Sequence, residues 1–161
     1  KGYQYASKQV FENANFIIVY HDDNKKSTID FVQEFSKQLG LRSVKIMSPE
    51  AHDEIISFTS QLPHCLAVSL MNSDDQKYET GKYIGDSFRD LTRIAKINED
   101  LWTELFIMNK DILLDEINQF IDSISHFRDS LEQEDTQEMK RLFIQSTKRR
   151  DKFNKTDAKK R

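Results

Sequence analysis

The feature that most constrains this chain is a helical repeat of apolar residues that continues from residue 49 to about residue 152. Apolar side chains recur there about every 3.6 residues, and no alternating strand pattern interrupts them. Glycine (4) and proline (2) are scarce in the 161 residues, which favours long helices over a loop-rich all-β fold. Long helices with wide apolar stripes usually pack against one another or against a second subunit. The sequence therefore predicts a mainly α fold with a tendency to dimerise.

Capping residues predict where these helices begin. Ser48 and Pro49 are typical of the N-cap and first position of a helix, which extends to about residue 73. Pro63 lies inside this helix and predicts a kink, because proline removes a backbone donor and clashes with the preceding turn. The other predicted helices cover about residues 77–97, about 99–131 with Asn98 as its cap (one helix, or two broken near Asn109), and about 135–152.

The residues before Ser48 follow a different pattern. Residues 16–20 are a short β-branched apolar run, typical of a buried strand. Ser27 or Thr28 then caps an amphipathic helix that Gly40 ends, and residues 44–47 indicate a second short strand. One strand-helix-strand unit is too small to be a stable sheet alone. We therefore expect it to be the trailing edge of a larger α/β domain.

Cysteine content and hydropathy indicate the compartment. Cys65 is the single cysteine and cannot form an internal disulfide, which favours a reducing cytoplasm and a small core side chain over a reactive thiol. No run of 18 apolar residues exists, so no membrane partner is expected. Residues 1–10 lack the apolar region of a signal peptide, and without an initiator Met the chain is expected to begin inside a larger protein.

Charge is distributed unevenly along the chain. Residues 148–161 hold eight basic and two acidic residues, a net of +6, so the other 147 residues carry −9 of the total of −3. A basic tail can bind nucleic acid, but Phe153 is its only aromatic residue and the rest of the chain is acidic. We therefore favour a solvated helix end and linker, with no nucleic acid as partner.

Two histidines in the first predicted helix are candidates for a site. His52, which precedes Asp53, lies 12 residues before His64, so at about 100° per residue the two histidines point about 120° apart. They could border one cleft without forming a metal pair, and the HExxH spacing is absent, so no metal site is expected. The alternative for either histidine is a surface or hydrogen-bonded core residue.

The segment from Phe88 to Lys96 is the second candidate. Arg89 and Arg93 are four residues apart and would share one helix face, with Asp90 adjacent. A bidentate anion such as a substrate carboxylate would offset the repulsion between the two arginines. The alternative is a solvated charged face. Trp102, the only tryptophan, is most simply a core or interface residue.

The order and spacing of these segments resemble the prephenate and arogenate dehydrogenase family over about residues 7–152. Leu62-Pro63-His64 and Phe88-Arg89-Asp90-Leu91-Thr92-Arg93-Ile94-Ala95 in tandem are the most specific part of this resemblance. The other matching segments are Val10 to Ala14, His52-Asp53, Asp100-Leu101-Trp102 and Asn109.

The resemblance implies a two-part enzyme. An N-terminal Rossmann domain would bind NAD or NADP, and an all-helical domain, similar to that of the 6-phosphogluconate dehydrogenase superfamily, would form a homodimer and bind substrate. Residues 1–48 would then be the end of the Rossmann domain, residues 49–152 the helical domain and residues 153–161 a basic tail or linker. Neither the glycine-rich fingerprint nor the segment with the catalytic histidine is present, so both are expected upstream of Lys1 and the fragment is expected to be inactive alone.

The implied reaction is oxidative decarboxylation of prephenate to 4-hydroxyphenylpyruvate in tyrosine biosynthesis, with tyrosine as a candidate feedback inhibitor. By position, Arg93 corresponds to the family's carboxylate-binding arginine and His64 to a histidine of the substrate pocket. The other carried-over site residues are His52 and Asp53 in the same cleft, Arg89 and Asp90 near the pocket and dimer contact, and Trp102 close to the site.

Two positions depart from the family pattern, and three alternatives stay open. Gln61 replaces the first histidine of Ser-His-Leu-Pro-His and is expected to be peripheral, and Asp86 lies where the family has a glycine-rich run. The alternatives are an arogenate or cyclohexadienyl dehydrogenase, a non-catalytic helical dimerisation module, and a nucleic-acid-binding tail.

Overall fold

The computed structural model describes residues 2–12 and 14–158, with side chains for all of these except Lys8 and residues 154–158. The chain divides into two compact units, Lys1–Leu113 and Leu114–Arg161. The domain boundaries expected from the sequence, at 48/49 and 152/153, stay predictions. The predicted fold class, a helical body preceded by a strand-helix-strand unit, is confirmed.

The strand-helix-strand unit consists of β1 (Asn15–Val19), α1 (Lys26–Gln38) and β2 (Ser43–Met47). The strands pair in parallel, from Asn15 opposite Ser43 to Val19 opposite Met47. Two short 3₁₀ turns, Tyr3–Tyr5 and Lys8–Val10, precede them. The prediction that Ser27 or Thr28 caps α1 is wrong, because Lys25 occupies the N-cap and no side chain caps this end.

Much of the apolar surface of this unit is uncovered. Phe31 and Phe35 stack on the outside of α1 with ring centroids 6.2 Å apart. They are 69% and 51% exposed, and Val19 of β1 is 42% exposed. A two-stranded sheet with one helix buries too little apolar area to be stable alone. The uncovered faces therefore suit a further layer of an α/β domain.

The first helix of the body is continuous but distorted. It comprises α2 (Pro49–Ile56), a π-turn (Ser57–Gln61) and α3 (Leu62–Asn72). Ser48 caps α2 as predicted, since its hydroxyl accepts a hydrogen bond from Ala51 N–H at 3.3 Å. In the π-turn, Leu62 N–H donates to the carbonyl of Ser57, five residues earlier. The wider turn makes room for the ring of Pro63, so the predicted distortion is a π-turn.

The next segment is less helical than predicted. Instead of one helix over about residues 77–97, it contains a 3₁₀ turn (Thr80–Lys82), α4 (Asp86–Thr92) and a second 3₁₀ turn (Arg93–Ala95). Gly81 and Gly85 lie inside the predicted span, and each glycine disfavours a helix by about 1 kcal/mol relative to alanine. Gly85 becomes the N-cap of α4 instead.

The remaining helices are α5 (Glu99–Met108), α6 (Lys110–Glu132) and α7 (Thr136–Ala158). Asn98 caps α5 through a bond from Leu101 N–H at 2.9 Å. Of the two arrangements predicted for residues 99–131, the pair of helices broken near Asn109 is confirmed. Asp135 caps α7, accepting from Glu138 N–H at 2.9 Å. Among the described residues, no helix is long and apolar enough to cross a membrane.

Each of the two compact units has its own set of packed side chains. In the first, the buried apolar residues are Leu62, Ala67 and Leu113, and the π-turn adds buried Ser57 and Gln61. In the second, the rings of Phe127 on α6 and Phe143 on α7 lie 6.1 Å apart. The first unit therefore positions the residues singled out in the sequence.

Candidate functional site

A histidine stacked on the only tryptophan forms the centre of the candidate site. His64 lies in the first turn of α3, and its ring is 3.7 Å from that of Trp102 on α5, with an angle of 29° between the planes. The ring of Phe106 lies edge-on to that of Trp102, with the two ring centroids 5.5 Å apart. Both His64 and Trp102 are partly exposed, so the stacked pair fixes the imidazole while leaving it accessible to a ligand.

The hydrogen bond to His64 determines which ring nitrogen carries its proton. His64 Nδ1 lies 2.8 Å from the carbonyl oxygen of Ser60 in the π-turn. A carbonyl oxygen can only accept, so Nδ1–H is the donor and the neutral imidazole keeps its lone pair on Nε2. Nε2 can therefore accept a hydrogen bond from a hydroxyl group, or donate to a carboxylate when the ring is protonated.

Two hydrogen-bonded amides, the buried Gln61 and the partly exposed Asn109, lie near the stacked pair. Gln61 is 5% exposed, and its Nε2 donates to the carbonyl oxygen of Leu105 at 3.2 Å. Asn109 Nδ2 donates to Gln61 Oε1 at 2.9 Å and to the carbonyl oxygen of Asp53 at 3.0 Å. These bonds join α2 and the π-turn to α5, so Gln61 has a structural part, while the expectation that it is peripheral to the substrate site stays a prediction.

His52 and Asp53 form a partly exposed pair on α2. His52 Nδ1 lies 3.0 Å from Asp53 Oδ1, so the bond to Asp53 occupies this ring nitrogen and not Nε2. The angle of 120° predicted between His52 and His64 assumed a uniform α-helix, and the π-turn between them breaks that assumption. Near the start of α2, the pKa of Glu50 is lowered by its own backbone N–H and by the Ser48 hydroxyl.

The segment from Phe88 to Lys96, called the basic segment below, lies on α4 and the 3₁₀ turn after it. Arg93 is exposed on the 3₁₀ turn that packs against α3, and among the described residues no ion pair holds it. Because α4 ends at Thr92, Arg89 and Arg93 do not share the face of one continuous α-helix, as the spacing predicted. Arg89 Nη2 donates to the carbonyl oxygen of Ile84 at 3.4 Å, and Asp90 is exposed on α4.

A largely apolar cavity of about 460 Å³ lies along the later part of α3. Helix α4 and the 3₁₀ turns Thr80–Lys82 and Arg93–Ala95 also contribute to it. Its lining includes Val68, Met71, Ile84, Phe88, Thr92 and Lys96. His64 and Trp102 do not line it. Within residues 2–12 and 14–158, no group of three or more His, Cys, Asp or Glu side chains could hold a metal ion.

Sequence reasoning missed the structural part that Gln61 and Asn109 play. Asn109 was noticed only as a matching position and as a possible helix break. A usable signal was present, because an amide directly before Leu-Pro falls where the proline disturbs helical hydrogen bonding. Its partner 48 residues away could be found only from the tertiary structure.

A sequence profile described as the dimerization domain of prephenate dehydrogenase matches residues 48–145, which is more than half of the chain. The chain belongs to this family. The matched range contains the π-turn, the stacked pair and the basic segment, so the resemblance noted from the sequence is confirmed.

Similar proteins are larger than this chain. The prephenate dehydrogenase of Bacillus subtilis (strain 168) is 32% identical over 86% of this chain but only 38% of its own length. The cyclohexadienyl dehydrogenase of Zymomonas mobilis is 26% identical over 88% of this chain and 50% of its own length. The chain therefore spans half or less of these two relatives.

Solved structures support the fold. The prephenate dehydrogenase from Aquifex aeolicus, in complex with hydroxyphenyl propionate and NAD+, superposes with a TM-score of 0.82 at 26% identity. That match covers 94% of this chain and 54% of the other. The arogenate dehydrogenase from Synechocystis superposes with a TM-score of 0.78 at 19% identity, which supports the fold alone.

Proposed function

We propose that this chain is the C-terminal, substrate-binding and dimerising part of a prephenate dehydrogenase that acts in the cytoplasm. The stack of His64 on Trp102, with Nε2 of His64 directed away from the Ser60 carbonyl, carries the proposal. It lies within the range that matches the family. An oriented imidazole beside an aromatic ring suits a substrate that combines a six-membered ring with hydroxyl and carboxylate groups.

In the proposed reaction, the ring carbon that bears the hydroxyl group of prephenate gives a hydride to NAD or NADP. The hydroxyl proton passes to a base, the ring carboxylate leaves as carbon dioxide, and the electron pair it leaves behind makes the ring aromatic. The proton returns to the oxygen of the product, 4-hydroxyphenylpyruvate. The base is proposed to be a histidine outside this chain, so these residues bind and orient the substrate.

Each candidate residue has a proposed part in binding. Arg93 would hold one of the two substrate carboxylates, since an exposed guanidinium without an ion pair among the described residues can bind a carboxylate through two parallel bonds. His64, restrained by Trp102, would bind a polar group of the substrate. The residues proposed to border the same cleft are His52, Asp53, Arg89 and Asp90.

The turn between β1 and α1 does not fit the pyrophosphate of a nicotinamide cofactor. In a dinucleotide-binding unit, the turn from the first strand to the helix holds the pyrophosphate with glycines and backbone N–H groups. Here that turn, between β1 and α1, contains Asp22 and Asp23 and no glycine. Two carboxylates would repel a pyrophosphate, so cofactor binding is assigned to a separate nucleotide-binding domain.

The first experiment measures formation of reduced nicotinamide in a protein that combines this chain with its nucleotide-binding domain. We expect oxidation of prephenate, and arogenate is compared as substrate because the Zymomonas relative is a cyclohexadienyl dehydrogenase. NAD and NADP are compared in the same assay. If neither substrate is oxidised with either cofactor, the proposed function is rejected.

Replacing Arg93 tests the binding site. Arg93→Ala is expected to raise KM for prephenate roughly 10- to 100-fold, since a hydrogen bond to a charged group contributes about 1.5–3 kcal/mol. KM for the nicotinamide should change little. Arg128→Ala, at an exposed arginine of α6, is the matched control and should leave both constants unchanged. An unaltered KM for prephenate in Arg93→Ala would remove Arg93 from the site.

A further inference from the structure

We propose that Asn109 and Gln61 are positioning residues that hold His64 against Trp102. This inference rests on the proposed function only where it concerns catalysis, since the geometry stands without it. Asn109 lies at the break between α5 and α6, and Gln61 is the last residue of the π-turn. Neither residue touches the stacked rings in the described contacts, so their effect on His64 passes through the helices.

The two amides connect the helices that carry the stacked pair. Gln61 lies three residues before His64, and its bond partner Leu105 lies three residues after Trp102. Three residues are close to one helical turn, or about 4.5 Å along the axis. The bond from Gln61 Nε2 to the Leu105 carbonyl oxygen therefore fixes the two helices one turn away from the stacked rings.

Asn109 adds a second connection at the same junction. One nitrogen, Nδ2, carries two hydrogens and donates them to two acceptors, the Gln61 side chain at 2.9 Å and the Asp53 backbone at 3.0 Å. The first bond orients the Gln61 amide, and the second holds the end of α2 beside α5. The orientations of the two amides are mutually consistent, since each nitrogen faces an oxygen.

The stacked pair needs such support. Pro63 removes a backbone donor next to His64, and the π-turn replaces regular helical bonds just before it. Among the described residues, the one hydrogen bond of the His64 ring is donated to a carbonyl oxygen of the π-turn itself. A separation of about 0.5–1 Å between the rings forfeits a quarter to a half of their dispersion energy, so a small rotation of α3 would weaken the stacking.

The chain offers an optical signal for this geometry that is independent of substrate. Trp102 is the only tryptophan in the sequence, so the tryptophan band of the near-ultraviolet circular dichroism spectrum reports how rigidly its indole is held. The unmodified chain should show a strong Trp102 band at neutral pH, because the indole is stacked on the His64 ring. His64→Gln removes that ring and should weaken the band by at least half.

Near-isosteric variants remove the hydrogen bonds that the two amides donate. Asn109→Asp and Gln61→Glu each replace an N–H donor with an oxygen that would face another oxygen. Both should lose at least half of the Trp102 near-ultraviolet band while far-ultraviolet circular dichroism still shows a folded helical protein. Asn109→Ala, which removes the donors without adding charge, gives the same test if Asn109→Asp does not fold. Ser130→Ala is the control, as it removes a hydrogen bond from a side chain of the other unit that is as buried as Gln61.

The outcomes separate this inference from the proposed function. If the folded Asn109 and Gln61 variants keep the full Trp102 band, or if His64→Gln does not weaken it, the positioning role is rejected whatever the enzymatic activity. If the band is weakened and prephenate is oxidised, the same variants should lower kcat/KM for prephenate at least about tenfold with KM for nicotinamide unchanged. If the band is weakened but prephenate is not oxidised, the positioning stands and the proposed function fails.

Discussion

At the scale of single residues, one carboxylate in the second unit has a strongly altered pKa. Glu138 on α7 accepts hydrogen bonds from Arg141 Nε at 2.6 Å and from His126 Nε2 on α6 at 2.7 Å. These two partners, Arg141 first, lower the pKa of Glu138 from 4.5 to about 2. Both favour the charged carboxylate, so the bonds by which Glu138 joins α6 to α7 weaken when it is protonated.

This lowered pKa predicts how stability depends on pH. Because the folded-state pKa lies below the usual 4.5, the contribution of Glu138 is complete above pH 4.5 and is lost as pH falls toward about 2. Glu138→Gln should therefore be less stable than the unmodified chain at pH 6, and the difference should shrink across this range. Thermal unfolding followed by circular dichroism measures it, with Glu132→Gln, at an exposed glutamate of α6, as the control. Equal stability at pH 6 would show that these bonds contribute nothing.

At the scale of elements, the ends of the helices are set by local chemistry. Gly40 follows α1 with φ of +82°, a left-handed conformation, and its N–H donates to the Lys37 carbonyl oxygen at 3.0 Å. The predicted role of Gly40 at the end of this helix is therefore confirmed. A Cβ atom at Gly40 would meet nothing within 4 Å, so any cost of a side chain there is conformational and not steric.

Replacing Gly40 tests that argument. Gly40→Ala should lower the free energy of unfolding by roughly 1–2 kcal/mol, the usual cost of a left-handed alanine. Gly81→Ala is the matched control, because a Cβ atom there also meets open space but the backbone has no positive φ. That variant should be neutral or slightly stabilising. Chemical denaturation measures both, and an equal response would contradict the conformational explanation.

At the scale of the whole molecule, the second unit leaves an apolar surface uncovered by the described residues. Ile121 and Ile124 on α6 are 50% and 51% exposed, and Phe143 and Ile144 on α7 are 50% and 55% exposed. Two helices cannot bury wide apolar stripes against each other alone. We propose that a second copy of the chain covers these residues, in keeping with a family defined by a dimerization domain.

A charge on this surface should weaken the dimer. Burying an isoleucine contributes about 1.5–3 kcal/mol, and a homodimer loses that contribution twice, so Ile124→Asp should raise the dimer dissociation constant at least tenfold. Ser123→Asp, on the adjacent exposed position of α6, adds the same charge and should leave the dimer intact. Light scattering over a concentration series measures both. Dimers of equal strength in the two variants would exclude Ile124 from the interface.

Local patterns in the sequence were sufficient for the elements and for the family. The caps Ser48, Asn98 and Asp135, the break at Asn109 and the strand-helix-strand order follow from short-range backbone chemistry and apolar periodicity. The predictions that failed concern segments in which one local preference opposes another, and periodicity does not show which preference prevails. Gly81 and Gly85 divided a predicted helix, and α1 began without the expected side-chain cap.

The sequence alone predicted individual residues of the candidate site but not their arrangement in space. The sequence identified His64, Trp102 and Arg93 through their resemblance to a family, but the distances between them depend on how α3 and α5 pack. Pro63 predicted a distortion, while the tertiary structure made it a π-turn and connected it to α5 through Gln61 and Asn109. The physical reason is the separation along the chain over which each kind of interaction acts. Capping and periodicity act within one or two turns of chain, whereas the bonds of Gln61 and Asn109 join residues 44 to 56 positions apart, whose pairing no local preference encodes.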